Sequence, residues 1–198
     1  MEQRLSRAAF ILTGGRSSRM GAEKGFLKFG AQTLVERALT VVAAVCPQIA
    51  IVGDPAKFSR FGKVVEDVYR DAGPLAGIHA ALRQSSAELN LMLAVDMPFV
   101  SPDLLTFLFA SAASTGDLVT VPRTGRGFQP LCAVYRTGFA LPAEHALRAG
   151  KNKVDAVFSG LPIRIVEESE LEAAGFSEKV FLNVNTPEDL RTAQTGSL

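Results

Sequence analysis

The sequence predicts a single α/β domain of 198 residues, with a mostly parallel central sheet and helices on both faces. Three observations lead to this prediction. Short apolar runs alternate with longer stretches of helical spacing, which is typical of α/β domains. Hydrophobic residues make up 47% of the chain, which is enough for a sizeable core. The chain also lacks an internal repeat, a low-complexity tract or a Pro/Ser-rich linker that would divide it.

The first half of the chain begins with a strand and a glycine-rich loop. Residues 8–12 are apolar and predict a buried first strand. Thr33-Leu34-Val35-Glu36 is typical of a capping box, and apolar residues at helical spacing after it predict a helix that Pro47 stops. The next predicted elements are short strands over residues 49–52 and 63–66 and a helix over residues 77–83.

The second half continues the same alternation. Residues 89–95 form an apolar run that ends at Asp96 and predict a central strand. Ser101-Pro102-Asp103 combines a capping residue, a first-turn proline and an acid that complements the helix dipole, so a helix is expected to begin there. The remaining predicted elements are strands over residues 118–121 and 131–135, an edge strand over 163–166, a helix over 141–149 and a final helix opening at residues 186–189.

The composition narrows the class of partner. The chain has 21 Lys and Arg against 20 Asp and Glu, so its net charge is only +1. Proteins that bind nucleic acid usually carry an excess of basic residues, so we expect no nucleic-acid partner for this chain. No apolar run reaches the length of a membrane span or signal-peptide core, so we expect a cytoplasmic protein without a membrane partner. Cys46 and Cys132 lie far apart among apolar neighbours and are interpreted as reduced core residues.

The strongest chemical signal is the glycine-rich loop over residues 12–24, directly after the first predicted strand. Its glycines let backbone N–H groups approach phosphates, and Arg16, Arg19 and Lys24 add positive charge. The loop matches neither the Walker A motif nor Gly-x-Gly-x-x-Gly. A glycine-rich turn with solvated charges is the alternative, but glycines and three cations in one loop favour a triphosphate site.

A carboxylate follows the predicted central strand. Asp96 lies at the carboxyl end of that strand, where open α/β sheets bind their ligands. Magnesium prefers one or two carboxylates together with phosphate oxygens, and Pro98 would keep the turn rigid. The alternative is an aspartate that only caps a helix or turn. We therefore expect Asp96 to be a ligand of Mg²⁺.

A second acid and two glycines point to the same edge of the sheet. Asp67 follows the third predicted strand and is expected to accept hydrogen bonds from a base or a ribose. Gly73 and Gly77 allow close approach of the backbone to a ligand. Asp71 is interpreted instead as a solvated loop acid.

Candidates for a second ligand lie in the second half. Asn183 and Asn185 alternate out of a predicted strand end, so we expect them to face one side and to hydrogen-bond a ring or a phosphate. Asn185 has an alternative role as the cap of the final helix. The basic loop over residues 123–130, with Lys151 and Lys153, is a weaker candidate for an acceptor phosphate, and its alternative is a solvated loop.

In order along the chain, these motifs resemble those of the molybdenum cofactor guanylyltransferases, the MobA family. The first motif is shared by many nucleotidyltransferases, whereas Asn183-Val184-Asn185 favours the guanylyl over the cytidylyl branch. The resemblance implies a Rossmann-like nucleotidyltransferase domain spanning residues 1–198. It covers nearly the whole chain, and the residues that carry it are 12–24, Asp67, 73–77, 96–98, 129–131 and 183–189.

The resemblance also implies an activity. GTP and the molybdopterin form of the molybdenum cofactor would give the guanine dinucleotide form and pyrophosphate, with Mg²⁺ required. The first half would bind GTP and Mg²⁺ and the second half molybdopterin, with transient contacts to proteins that donate or accept the cofactor. Arg19 and Lys24 would stabilise charge during transfer. The implied GTP or metal contacts are Leu12, Thr13, Gly14, Gly15, Lys24, Asp67 and Asp96, and Asn183 and Asn185 would lie near the pterin.

Two departures from the family pattern bear on the nucleotide site. Thr13 stands where the family usually has alanine, and Val52-Gly53-Asp54 stands where some relatives place an asparagine. Base contact from that second strand is therefore in question. Competing functions are a molybdopterin cytidylyltransferase, a sugar-phosphate nucleotidyltransferase and a non-catalytic module that binds GTP or the cofactor.

Overall fold

The computed structural model describes residues 5–14, 24–69, 72–184 and Asp189. Within these ranges eight strands form one sheet in the order β10-β7-β9-β6-β1-β4-β5, with β8 paired to β7, and β2 and β3 form a separate two-stranded sheet. The strands are β1 (Arg7–Leu12), β2 (Lys28–Phe29), β3 (Gln32–Thr33), β4 (Gln48–Val52), β5 (Val64–Val65), β6 (Leu89–Ala94), β7 (Val119–Thr124), β8 (Gly127–Phe128), β9 (Cys132–Tyr135) and β10 (Ile163–Val166).

The strand directions bring several strand ends to one edge. The β6, β1, β4 and β5 strands pair in parallel, and β10 pairs in parallel with β7. Between these two groups β9 is antiparallel to both β6 and β7, so β6 and β7 run in the same direction. The carboxyl ends of β1, β4, β5, β6 and β7 therefore share one side of the sheet, which we call the carboxyl edge.

Helices cover both faces of the sheet, as the sequence predicts. The helices are α1 (Leu34–Ala43), α2 (Pro55–Phe58), α3 (Pro74–Gln84), α4 (Pro102–Ala113), α5 (Ala140–Arg148) and α6 (Glu168–Ala173). Side chains of a strand alternate between its faces. Accordingly Ala9 and Ile11 of β1 join the core under α1 and α4, whereas Ala8, Phe10 and Leu12 join the core under α3 and α5.

The local signals for helix starts agree with the structure. Thr33 caps α1 in a complete capping box with Glu36, and the Ser101 hydroxyl accepts a hydrogen bond from the Leu104 N–H at the start of α4. The α3 helix begins at Pro74 rather than at the predicted Gly77, because Gly73 takes a left-handed φ of +75° that ends the preceding loop. The predicted final helix lies outside the described residues, except for Asp189.

Both cysteines lie in the folded interior. Cys46 and Cys132 are buried and unlinked, and burial raises the pKa of each thiol to about 12. Both are thus unreactive packing residues, as the sequence suggests. In the part of the chain that the structure describes, every helix is too short or too polar to cross a membrane.

The ends of β1, β4 and β5 are tied together through backbone groups. The backbone N–H and the hydroxyl of Thr13 both donate to the Val52 carbonyl, at 3.0 and 2.8 Å, and the Gly53 N–H donates to the Val65 carbonyl at 3.0 Å. A Cβ atom on Gly53 would overlap the Thr13 hydroxyl oxygen. Thr13 therefore fills the space that a side chain at position 53 would need.

We expect Gly53→Ala to lower the free energy of unfolding by about 1–3 kcal/mol, because the new methyl group forces the Thr13 hydroxyl off the Val52 carbonyl. In a Thr13→Ala background the same change should cost less than about 1 kcal/mol. Urea denaturation of the wild type, the two single variants and the double variant measures this coupling. Thr13→Ser keeps the hydroxyl and should give no relief. Additive effects of Thr13→Ala and Gly53→Ala would contradict the steric account.

Candidate active site

The carboxyl edge brings together site residues predicted from distant parts of the sequence. Gly14 follows β1, Asp67 follows β5 and Asp96 follows β6. Because β6, β1, β4 and β5 are consecutive in the sheet, these residues lie along one continuous edge. Gly15, Arg19 and Asn185 lie outside the described residues and stay predictions from the sequence.

The start of the glycine-rich loop is held mostly by its own backbone. The Leu12 side chain is buried in the core, and the Leu12 carbonyl accepts the Val95 N–H at 3.1 Å. Both donors of Thr13 are used at Val52. Gly14, in contrast, is exposed, and a Cβ atom there would meet no atom of the described residues within 4 Å. Leu12 and Thr13 thus set the position at which the loop begins.

The far end of the glycine-rich loop meets the carboxylate that follows β6. The Lys24 Nζ donates to Asp96 Oδ2 at 3.0 Å, and the side chains keep only 25% and 15% of their exposure. Such partial burial reduces screening by solvent, so the pair interacts more strongly than a surface salt bridge. Both charges that the sequence assigned to the triphosphate and its metal are therefore in direct contact.

Three further contacts fix the turn that carries Asp96. The Val184 N–H donates to the Asp96 carbonyl at 2.8 Å, so the C-terminal segment lies directly against this turn. The Met97 N–H donates to the Ala94 carbonyl at 3.3 Å. On the other side the Arg37 Nε donates to the Pro98 carbonyl. The position of the carboxylate is thus set by contacts from α1, from its own strand and from the C-terminal segment.

Arg37 is a supporting residue that the sequence analysis missed. Its guanidinium lies 5.2 Å from the centre of the Phe29 ring, and that ring packs edge-on against Phe99 at 5.7 Å. Arg37 therefore joins the small β2-β3 sheet to the Asp96 turn. Its signal in the sequence was a charged residue within the apolar stripe of α1, next to Ala38 and one turn from Leu34.

Asp67 carries an unsatisfied buried oxygen. Its Oδ1 atom is buried and has no hydrogen-bond partner among the described residues, and burial raises the pKa of the Asp67 carboxyl to about 6. The nearby Gly77 is buried in the first turns of α3, where a Cβ atom would lie 3.5 Å from this oxygen. A buried polar atom without a partner is uncommon in a folded protein, so this oxygen is a candidate acceptor for a ligand. Gly73, at the cap of α3, is exposed.

The asparagine segment takes a different local structure from the predicted one. Residues Glu178–Phe181 form a 3₁₀ turn, and 182–184 continue without regular structure, so Asn183 does not leave a strand end. Asn183 is nevertheless exposed, and its neighbour Val184 binds the Asp96 turn. The structure therefore brings Asn183 near Asp96 by a different route from the one expected.

The basic loop does not present free positive charge. Arg123 forms two hydrogen bonds with the carboxylate of Glu167, and the Arg126 Nε lies 3.6 Å from Glu178 Oε1. Lys153 similarly pairs with Asp155 at 3.1 Å. Because acids of the protein already balance these three cations, the loop is a poor candidate for holding an acceptor phosphate by charge alone.

The residues present fit a divalent cation only in combination with a phosphate-bearing ligand. Among residues 5–14, 24–69, 72–184 and 189, no group of three His, Cys, Asp or Glu side chains is placed to hold a metal ion. A single carboxylate such as Asp96 is nevertheless a common protein contribution to a Mg²⁺ site whose other ligands are phosphate oxygens and water. The chemistry of the site thus matches a metal–nucleotide complex rather than a resident metal.

The comparisons with known proteins identify relatives along nearly the whole chain. Residues 9–161 match the model of the MobA-like NTP transferase domain. A protein of Pelotomaculum thermopropionicum named a probable molybdenum cofactor guanylyltransferase is 40% identical over 192 residues, which is 96% of this chain and 93% of that protein. A relative in Desulfosudis oleivorans, named molybdenum cofactor guanylyltransferase, is 32% identical over 93% of this chain and 92% of its own.

Solved structures show the same fold. Molybdopterin-guanine dinucleotide biosynthesis protein A from Archaeoglobus fulgidus superposes with a TM-score of 0.83 at 28% identity and covers 96% of this chain and 98% of its own. A 2-C-methyl-D-erythritol 4-phosphate cytidylyltransferase from Thermus thermophilus has a TM-score of 0.68 at 20% identity, with 95% and 97% of the two chains covered. At that identity the second likeness shows the fold alone.

The raised pKa of Asp67 gives a test of its burial. The folded protein holds this proton more tightly than the unfolded chain does, since the folded pKa is about 6 against an ordinary 3.8. Wild-type stability should therefore fall as pH rises from about 4 to about 6, and the loss should persist above that range. Asp67→Asn should remove this loss and raise the free energy of unfolding at neutral pH by on the order of 1 kcal/mol.

Urea denaturation of both proteins across this pH range measures the difference. Glu66→Gln, at the exposed neighbouring acid, is the matched control and should follow the wild-type profile. Equal stability of wild type and Asp67→Asn at every pH would show that this carboxyl group is fully solvated.

Proposed function

This chain belongs to the family of MobA-like NTP transferase domains and is a nucleotidyltransferase, and from this premise we propose that it transfers GMP from GTP to the molybdopterin form of the molybdenum cofactor. The products are the guanine dinucleotide form of the cofactor and pyrophosphate. The names of the relatives in Pelotomaculum thermopropionicum and Desulfosudis oleivorans support the choice of nucleotide and acceptor. A cytidylyltransferase remains the competing function, because the fold is shared with such an enzyme.

The single observation that carries the proposal is the contact between Lys24 and Asp96. It joins the end of the glycine-rich loop to the carboxylate after β6, and it lies at the carboxyl edge of the sheet. A nucleoside triphosphate with its cation needs a positive and a negative group within a few ångströms of each other. The Lys24 ammonium suits a phosphate, and the Asp96 carboxylate suits a cation.

The proposed reaction is an in-line displacement at the α-phosphorus. A phosphate oxygen of molybdopterin forms a bond to this phosphorus while the bond to the bridging oxygen of the departing pyrophosphate breaks. The attacking oxygen is already anionic near neutral pH, so a strong general base is not required. Catalysis then depends on positioning and on neutralising charge, and Lys24 and Arg19 supply positive charge for it.

Asp96 is the residue that would hold a divalent cation, for which we propose Mg²⁺. When bound, such a cation supplies charge neutralisation on the phosphates that are being transferred. The rigid turn around Asp96 keeps the carboxylate in place, since Arg37 and Val184 hold the turn from two sides.

The nucleoside is proposed to lie toward β4 and β5. There the Oδ1 of Asp67, which has no partner among the described residues, can accept a hydrogen bond from the ribose or the base. Gly73, at the exposed cap of α3, allows close approach of a ligand to the backbone, whereas the space at Gly77 is filled by Leu12, Val52 and Asp67. The space at Gly53 is taken by the Thr13 hydroxyl, so base contacts from β4 must come from backbone groups.

The acceptor is proposed to lie on the other side of Asp96. Asn183 is exposed there, in a segment whose Val184 is hydrogen-bonded to the Asp96 turn. We propose that Asn183 and Asn185 contact the pterin. The cofactor would pass by transient contact with donor and acceptor proteins in the cytoplasm.

Pyrophosphate release with each of the four NTPs and purified molybdopterin tests the function. We expect release with GTP to exceed release with ATP, CTP and UTP by about a hundredfold or more in kcat/KM, because the base site must discriminate by buried hydrogen bonds. Release that depends on GTP but not on molybdopterin would indicate a hydrolase, and a preference for CTP would favour the cytidylyl alternative.

We expect Asp96→Asn to lower kcat by about a hundredfold or more at saturating Mg²⁺, because the neutral amide is a poor ligand for the cation. The fold should survive, since Asp96 follows the end of β6. Steady-state kinetics together with thermal unfolding separate these effects. Asp103→Asn, at an exposed acid in the first turn of α4, is the matched control. Near-wild-type turnover of Asp96→Asn would remove Asp96 from the site.

A further inference from the structure

One carboxylate outside the predicted site holds the tip of a hairpin at the carboxyl edge. The β7 and β8 strands pair antiparallel, with Thr124 opposite Gly127, so the hairpin turns at Gly125 and Arg126. Glu178 Oε1 accepts the Thr124 hydroxyl at 2.9 Å and the Arg126 N–H at 3.1 Å. A short hairpin turn is thus fastened by a side chain about 50 residues further along the chain.

The same contacts also order the polar groups within the hairpin. Thr124 is buried, with 6% exposure, and its hydroxyl accepts hydrogen bonds from the Arg126 N–H and from the Gln129 amide, each at 3.3 Å. Gln129 also donates to the Gly127 carbonyl at 3.4 Å. Glu178 therefore fixes a connected network whose last member is Gln129. Removing the carboxylate of Glu178 would leave the buried Thr124 hydroxyl without its acceptor.

The chain that leaves the hairpin meets the end of β6, and β9 lies between β7 and β6. The β7 strand runs in the same direction as β6, and the Leu131 carbonyl accepts the Ala94 N–H at 2.8 Å. Pro130 is held nearby by the Tyr135 hydroxyl at 2.8 Å. This is the side of Asp96 that lies away from β4 and β5, and so away from Asp67.

We infer that Glu178 is a positioning residue for the acceptor. It shapes one wall of the acceptor site by holding the hairpin tip, and it does so through Thr124 and the Arg126 backbone without touching the substrate. This inference rests on the proposed function, because it assigns the acceptor to this side of Asp96. It also identifies the acceptor half of the site as two segments, the β7-β8 hairpin and residues 178–184, which the Glu178 side chain joins.

Hydrogen bonding rather than charge is the property of Glu178 that matters. The acceptor carries a phosphate, so a bare carboxylate in the wall of its site would repel it. The Arg126 Nε, 3.6 Å from Glu178 Oε1, balances that charge. Glutamine at position 178 keeps an oxygen for Thr124 and Arg126 and should therefore preserve the function of the site.

Steady-state kinetics with purified molybdopterin and GTP under anaerobic conditions test the inference. We expect Glu178→Ala to raise KM for molybdopterin about tenfold, because the hydrogen bonds that hold the hairpin turn are lost, while KM for GTP stays within about twofold of wild type. Glu178→Gln should restore the wild-type KM for molybdopterin or lower it. Thr124→Val, which removes one donor, should change KM in the same direction as Glu178→Ala by a smaller factor.

Glu167→Ala is the matched control. It removes the partner of Arg123 on the same hairpin, a pair whose side chains are 46% and 42% exposed, and it leaves the contacts of Glu178 with Thr124 and the Arg126 N–H in place. Because the Glu167 side chain also takes part in the capping box of α6, thermal unfolding checks that this variant is folded. We expect both KM values to stay near wild type in this variant. Direct measurement of molybdopterin binding, by titration of each variant, gives a second readout that does not require turnover.

The outcomes separate the inference from the proposed function. Unchanged molybdopterin affinity in a folded Glu178→Ala, or equal weakening of GTP and molybdopterin, would overturn the positioning role. A Glu178→Gln variant as weak as Glu178→Ala would also contradict it. If wild type bound molybdopterin but released no pyrophosphate from GTP, the proposed transfer would fail, and the binding measurements would still decide the role of Glu178. Wild type without any affinity for molybdopterin would refute both.

Discussion

The parallel hydrogen bonding of β1 to a strand on each side is the constraint on which the rest of the site depends. Leu12 is opposite Val52 on one side and opposite Ala94 on the other. Adjacent strands lie about 4.8 Å apart, so the residues that follow these three positions emerge as close neighbours. A shift of one residue in either ladder would turn every side chain of β1 to the wrong core. The two hydrophobic cores therefore maintain the alignment of the polar edge.

The polar groups at that edge are arranged for a ligand at some cost to the folded protein. Asp67 keeps a desolvated oxygen that finds no partner in the described part of the chain, and its raised pKa reflects that cost. The half-buried charges of Lys24 and Asp96 are balanced by the hydrogen bond between them. Groups whose environment disfavours them in the free protein are those that gain most when a ligand completes their hydrogen bonds. The stability of the cores is what allows this arrangement.

Much of the fold could be predicted from the sequence because its signals are local. The capping box at Thr33, the Ser101 cap and the apolar run before Asp96 each depend on residues within one or two turns of chain. The carboxyl ends of parallel strands lie at one edge of a sheet, so the placement of Asp67 and Asp96 at the same edge could also be predicted. The contact of Lys24 with Asp96 agrees with the assignment of both to one ligand, although that assignment itself stays a prediction.

The parts that the sequence did not reveal are contacts between distant segments. Arg37 was recognisable only as a charge in an apolar stripe, and nothing near Glu178 in the sequence indicates that it fastens a hairpin 50 residues earlier. The ion pairs of the predicted basic loop were hidden for the same reason, since Glu167 and Glu178, which pair with Arg123 and Arg126, come from another part of the chain. Asn183 was expected at a strand end because a short apolar run such as residues 180–182 does not by itself distinguish a strand from a helical turn.

The overlap between the Thr13 hydroxyl and any side chain at position 53 also restricts the order in which this edge can change over evolutionary time. A lineage that begins with Thr13 and Gly53 loses less stability if the hydroxyl is lost before a polar side chain appears directly after β4, because the reverse order displaces the Thr13 hydroxyl from the Val52 carbonyl. Alanine at position 13 with glycine at position 53 is the accessible intermediate. Replacement of Thr13 by alanine is thus the step that makes space for a side chain at position 53 to contact the base.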